Sequence, residues 1–233
     1  MQKYTYIISA LTIITLVYLW GFVSAQTKIF PYDLITKVER RILGKNLDYN
    51  RNSMYPVKDD LKKGDISKDI LFIGDSHIEL GNWADFLKPI DVANLGIAGE
   101  TSAQLLERVK KYDIRSKTVV AVIGTNDLGS ERLEKSQQNI EAIIQILAES
   151  NKLYFVSTPY TGNASQRDYV QALNNTEKSV CDSRSRCKFL NINSLISSNG
   201  LLKSDLSFDG IHMNRDGYLL FSEQLRSALT KAD

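Results

Sequence analysis

Residues 69–80 read DILFIGDSHIEL, and the fold turns on this stretch. The unbroken apolar run Ile70–Ile73 reads as a short strand. Gly74 permits a tight turn directly after it, and Ser76 falls where the strand would give way to a helix. Backbone N–H groups converge on a serine at a helix start. Such a serine can be a nucleophile, or it can simply cap the helix. This segment alone admits both.

The same rhythm continues outward. Short apolar, β-branched runs at Asp91–Asn94, Thr118–Ile123, Leu153–Ser157 and Lys188–Ile192 read as four more strands. Between them Leu105, Val109 and Tyr112 recur at helical spacing, as do Leu133, Ile140, Ile143, Ile144 and Leu147. A last helix starts near Asn214, a suitable N-cap, with Tyr218, Phe221, Leu225 and Leu229 on one face. Strands alternating with helices imply right-handed crossovers. The expected fold is therefore α/β, a three-layer sandwich with a mainly parallel five-stranded sheet. Sites in such sheets form at the carboxyl ends of the strands.

Three further segments place chemistry there. NLGIAGET, residues 94–101, offers Gly96 and Gly99, and AVIGTNDL, residues 121–128, offers Gly124, Asn126 and Asp127. Glycine lets a backbone N–H approach a ligand closely, and an asparagine amide can donate to a developing oxyanion. The chain has two histidines, His77 and His212. His77 follows Ser76 directly, and adjacent side chains on a helix diverge by about 100°, so it should not reach that hydroxyl easily. His212 lies in SFDGIHMNRDGY, three residues after Asp209. Within a turn this spacing can bring carboxylate and imidazole to one side, where the acid orients the base and stabilises its cation. A capping turn with a surface histidine would show the same spacing.

Hydrophobic residues make up 43% of the 233 and charged residues 24%, the balance of a folded chain. The net charge of +2 comes without a basic run or stripe, which speaks against nucleic-acid binding. Cys181 and Cys187 cannot make a zinc site alone, and no histidine lies nearby. They suit a small-loop disulfide if the domain lies outside the cytoplasm, and a pair of reduced thiols if it does not. Residues 4–23, YTYIISALTIITLVYLWGFV, carry no charge and are long enough as a helix to span a bilayer. Tyr4 and Tyr6 at one end, and Tyr18, Trp20 and Phe22 at the other, suit interfacial anchors. Lys3 and the small residues Val23-Ser24-Ala25 also fit a cleaved signal peptide. Residues 1–25 are thus read as a transmembrane anchor or leader. Residues 26–68, with a short amphipathic helix opened by Pro31, are read as a stalk, and residues 69–233 as the catalytic domain. Lys28, Lys37, Arg40 and Arg41 would favour a cytoplasmic side, but large domains cross regardless of such charges. The domain is expected outside the cytoplasm, on the periplasmic or extracellular face of the membrane.

Taken together, GDS at Gly74–Ser76, NLGIAGET at Asn94–Thr101, GTND at Gly124–Asp127 and DGIH at Asp209–His212 resemble the four ordered blocks of the SGNH, or GDSL-like, hydrolases. The chain looks most like their flavodoxin-like branch, with the platelet-activating-factor acetylhydrolase subunits and bacterial lysophospholipase-like esterases. The resemblance implies Ser76 as nucleophile, His212 as base and Asp209 orienting it. It also implies an oxyanion hole from the N–H groups of Ser76 and Gly99 with the Asn126 side chain, and no cofactor or metal. The family's usual GDSL reads GDSH here, which sets the polar ring of His77 beside the site. The expected activity is hydrolysis of a small acyl ester, such as an O-acetyl group on a cell-envelope glycan. An acyltransferase, a lysophospholipase-type lipid esterase and a non-catalytic glycan-binding module are the alternatives.

Overall fold

The computed structural model describes residues 12, 15–21, 23, 55–115 and 117–230. They fall in two units divided after Ser53. In the first, residues 15–21 are helical, and no helix among the described residues is long and apolar enough to cross a membrane. Most of the run expected to do so, residues 4–23, lies outside the described residues, as does the helix expected after Pro31.

The second unit begins with α1 (Tyr55–Lys62) and a 3-10 turn (Lys63–Ser67). Then come β1 (Ile70–Gly74), α2 (Ser76–Glu79), α3 (Trp83–Phe86), β2 (Val92–Gly96), α4 (Ser102–Val109), β3 (Thr118–Val122) and α5 (Leu133–Leu147). After these follow β4 (Lys152–Val156), α6 (Arg167–Asp182), β5 (Cys187–Leu190), α7 (Asn193–Ile196), the hairpin β6 (Ser197–Ser198) and β7 (Leu201–Leu202), and α8 (Arg215–Thr230). The five strands expected from the sequence form one sheet in the order β2-β1-β3-β4-β5, all parallel.

Alternation along each strand sends side chains to opposite faces. Leu71, Ile73, Val119, Ala121, Leu153 and Phe155 join one core with α4, α5 and α6. Phe72, Val120, Val122, Tyr154 and Val156 join the other with α3, α7 and α8. Both faces are covered, which is why the strands read as nearly continuous apolar runs. Truncating a fully buried ring such as Phe155 to alanine would cost about 3–5 kcal/mol.

Residues 55–67 and helix α4 are among the elements that differ from the sequence reading. Residues 55–67, expected within the stalk, are folded into the catalytic unit. The Tyr55 hydroxyl donates to Glu100 Oε1 at 2.7 Å, Lys58 Nζ to Glu79 Oε1 at 2.8 Å and Lys62 Nζ to the Asn94 carbonyl at 2.9 Å. These are polar contacts made by side chains that normally face solvent, so no apolar period announces them. Helix α4 ends at Val109, short of Tyr112, whose hydroxyl donates to Asp59 at 2.8 Å instead.

The strand order reverses direction at β1 and β3, and this is where a doubly wound sheet opens a crevice. Gly74 ends β1 at a φ of +145°, and a Cβ there would lie 1.8 Å from the Val122 carbonyl oxygen of β3. Only glycine lets the chain turn this close to its neighbour. Ser76 comes two residues later.

Candidate active site

Asp75, in extended conformation, is the N-cap of α2, and its side chain accepts the His77 backbone N–H at 2.9 Å. That leaves Ser76 as the first helical residue with its hydroxyl uncommitted to capping. Ser76 is nearly buried, at 5% exposure, and its Oγ lies 2.9 Å from His212 Nε2. On the far side of that ring, His212 Nδ1 lies 2.7 Å from Asp209 Oδ2. The carboxylate can only accept, so it holds the Nδ1–H tautomer and turns the Nε2 lone pair toward the serine hydroxyl.

The turn carrying Asp209 and His212 is tied down at several points. Asp209 Oδ1 accepts the backbone N–H groups of Ile211 at 2.9 Å and His212 at 2.7 Å. The Ser207 hydroxyl donates to the His212 carbonyl and accepts from the Gly210 N–H, and Ser207 bridges Met213. Asn214 then caps α8, its Oδ1 accepting the N–H groups of Asp216 and Gly217. Burial alone would raise the Asp209 pKa. The hydrogen bonds from the His212 ring, from the His212 and Ile211 backbones, and the His212 charge outweigh it and hold the carboxyl at about 2. It is ionised at neutral pH.

His77 goes elsewhere. Its side chain is fully buried, and its ring centroid lies 5.6 Å from that of His212, tilted by 42°. Neither ring nitrogen has a hydrogen-bond partner. Burial first, and the neighbouring His212 charge second, push its pKa down to about 3, so the ring is neutral. Of the two histidines, only His212 hydrogen-bonds Ser76.

The other two segments lie at the ends of β2 and β3. Gly99 sits at a φ of +82°, and Asn126 lies in the 3-10 turn Thr125–Asp127. The Asn126 Nδ2 donates one of its two N–H bonds to the Glu100 carbonyl at 3.0 Å, and the other meets no acceptor among the described residues. Among the described residues, the backbone N–H groups of Ser76 and Gly99 donate to no acceptor. Behind this turn, sequence reasoning missed a buried clamp. Glu100 takes Arg108 Nε at 2.7 Å and Nη2 at 2.5 Å, and Arg108 Nη1 donates to the Leu95 carbonyl at 2.7 Å. The signal was present: Arg108 stands between Leu105 and Val109 on the apolar side of α4, where an unpaired charge would be costly.

The Cys181 and Cys187 sulfurs are bonded, joining the end of α6 to the start of β5. Among the described residues, no group of three or more His, Cys, Asp or Glu side chains is placed to hold a metal ion.

Residues 72–220 match the sequence profile of the GDSL-like lipase/acylhydrolase family, a span that holds all four segments. The chain belongs to this family. It is therefore an ester hydrolase of the GDSL-like kind. The platelet-activating factor acetylhydrolase IB subunit alpha1 of Homo sapiens is 26% identical over 180 residues, covering 72% of this chain and 78% of that one. Among solved structures, a GDSL-like lipase from Bacteroides thetaiotaomicron superposes with a TM-score of 0.61 at 22% identity, over 78% of this chain and 98% of that chain. An acetylxylan esterase from Geobacillus stearothermophilus superposes with a TM-score of 0.57 at 16% identity, over 68% and 92%. Both structural likenesses concern the fold. The GDSL-like hydrolases share the parallel five-stranded sheet described above.

Proposed function

We propose that this chain is a serine esterase that cleaves a small acyl ester, an O-acetyl ester of a cell-envelope glycan, through Ser76, His212 and Asp209. One observation carries the reading: Ser76 Oγ is 2.9 Å from His212 Nε2 while His212 Nδ1 is 2.7 Å from an ionised Asp209. The serine proton passes to Nε2 as Oγ bonds to the carbonyl carbon and the carbonyl π pair moves onto oxygen. The N–H groups of Ser76 and Gly99 and the free Asn126 N–H receive that charge. Asp209 stabilises the imidazolium without taking its proton. His212 then protonates the departing alcohol, leaving an acyl-serine that water cleaves by the same steps in turn.

A small acyl group is supported by the acetyl ester named for the 26% identical mammalian relative. The disulfide supports a domain outside the reducing cytoplasm, and the uncharged residues 4–23 support an anchor in the membrane. The test combines a fluorophosphonate probe with product analysis. Stoichiometric labelling at Ser76, and release of free acid from acetylated sugars with and without a sugar acceptor, is the expected outcome. Absence of labelling in folded protein would overturn the triad, and transfer of the acyl group to the acceptor would overturn hydrolysis.

A further inference from the structure

We propose that Phe208, with Ile211 beside it, seats the alcohol half of the ester, and that this half is a sugar ring rather than a lipid chain. The inference rests on the serine-esterase reading above and assigns its leaving-group side. Five large hydrophobic residues are exposed among the described residues of the catalytic unit: Val57, Leu61, Leu80, Phe208 and Ile211. Two of the five interleave with Asp209 and His212 in the same short turn. Phe208 is 70% exposed, and scattered exposed apolar side chains need no explanation by themselves. How this ring is held does.

The Phe208 ring lies nearly parallel to that of His212, with centroids 5.9 Å apart and an interplanar angle of 17°. Its backbone belongs to the turn locked by the Ser207 hydroxyl, the Ser207–Met213 bridge and the Asp209 carboxylate. It is thus a fixed aromatic surface left open to solvent against the ring that serves as base. The departing alcohol oxygen must take its proton from His212 Nε2, so the body of the alcohol has to lie against this ring's surroundings. An aromatic face there offers a large, flat apolar contact at little cost in conformational entropy.

The rim is polar. The Gly162 N–H donates to the Gly210 carbonyl at 2.7 Å, docking the loop after β4 against the turn. The next residue, Asn163, is exposed, and its Oδ1 is taken by the Ser165 N–H and hydroxyl at 3.0 Å and 2.9 Å. Its amide N–H bonds point to no acceptor among the described residues and are available to hydroxyls. A sugar ring presents a C–H face bordered by hydroxyls, which suits a flat apolar surface beside an amide donor. A long chain would need a continuous apolar track, and the turn supplies only two side chains.

The experiment uses the full-length protein and three esters sharing one acyl group: a mono-O-acetylated methyl pyranoside, ethyl acetate and dodecyl acetate. The readout is the ratio of kcat/KM for the pyranoside to that for ethyl acetate. Phe208→Ala should lower this ratio roughly 10-fold, the size of one apolar contact in substrate discrimination. Phe208→Trp should keep it and Phe208→Leu should not, because flatness rather than bulk matters. Fluorophosphonate labelling at Ser76 in each variant reports that the triad is assembled. An unchanged ratio in labelled Phe208→Ala protein, or a larger loss on dodecyl acetate than on the pyranoside, overturns the inference while leaving the esterase reading intact. Wild-type protein that does not label overturns the esterase reading itself.

Discussion

The side-chain amide of Asn126 donates to the main-chain carbonyl of Glu100 at 3.0 Å, so the turn after β3 is held by the turn after β2. Glu100 is itself gripped by the buried guanidinium of Arg108 and by the Tyr55 hydroxyl. On the proposed reading, the remaining Asn126 N–H meets the charge that develops on the substrate. Asn126→Ala should lower kcat roughly 10²–10³-fold with little change in KM, as loss of one oxyanion donor does. Steady-state kinetics on a short-chain ester measures both parameters, and a rise in KM at constant kcat would refute the role.

The two histidines are separable by mutation. His212→Ala or Ser76→Ala should each lower kcat by about a million-fold, and the double variant no further, because the pair acts as a unit. Asp209→Asn should cost less than loss of the histidine, since Asp209 orients the base and takes no proton. His77→Ala should keep most of the activity on the smallest esters, because the neutral His77 ring makes no hydrogen bond to Ser76, Asp209 or His212. Turnover that survives His212→Ala but not His77→Ala in folded protein would refute the assignment.

Thr158 and Glu177 predict a pH-dependent stability. The Thr158 hydroxyl lies 2.7 Å from the Ile123 carbonyl and 2.5 Å from Glu177 Oε1, while the Thr158 N–H donates to Glu177 Oε2 at 3.0 Å. A hydroxyl has one proton and the carbonyl can only accept, so a protonated Glu177 completes the chain as donor. Burial pushes the Glu177 pKa up to about 8, although the Thr158 hydrogen bonds pull it down. The folded state then binds more protons than the unfolded chain between the ordinary glutamate value, about 4.3, and pH 8. Stability from this group is complete below that ordinary value and is lost as pH rises through about 8. Glu177→Gln reproduces the neutral acid's donor and acceptor, and should match wild type near pH 4 but melt at least roughly 4 °C higher near pH 8. Calorimetry at the two pH values decides it: a difference that does not grow with pH would sink the protonated state.

The amino-terminal reading is tested by truncation. A chain beginning at Met54 keeps Tyr55 and Lys58 on Glu100 and Glu79 and should be soluble and active. One beginning at Asp69 loses both contacts and should be measurably less stable. The full-length chain should stay with membranes after a carbonate wash. Recovery of a mature form beginning at Gln26 would replace the anchor with a cleaved leader. Thiol labelling of denatured, unreduced protein should find neither Cys181 nor Cys187, and two labelled thiols would remove the disulfide's support for export.

Much of the fold was legible because parallel strands buried on both faces must be apolar throughout. The runs at Ile70, Thr118 and Leu153 therefore stood out, and their edges shifted by only one or two residues. Helix α6 went unread for a related reason. Its buried face carries Val170, Leu173 and Cys181, but also Asn174 and Glu177. These two polar residues interrupt the apolar period because they serve Thr158, Asn174 Nδ2 donating to its carbonyl at 3.1 Å.

By itself the sequence determined the alternation of strands and helices and the four segments that meet at the sheet's carboxyl edge. Those depend on local periodicity and on residue types demanded by chemistry. Whether Ser76 caps a helix or faces a base, and which histidine faces it, was decided only in three dimensions. Ser76 and His212 stand 136 residues apart, and no local pattern encodes a contact at that range. The strand order creates it, by bringing the end of β1 and the turn before α8 to one crevice. There Asp75 takes over the capping and leaves the serine hydroxyl to His212.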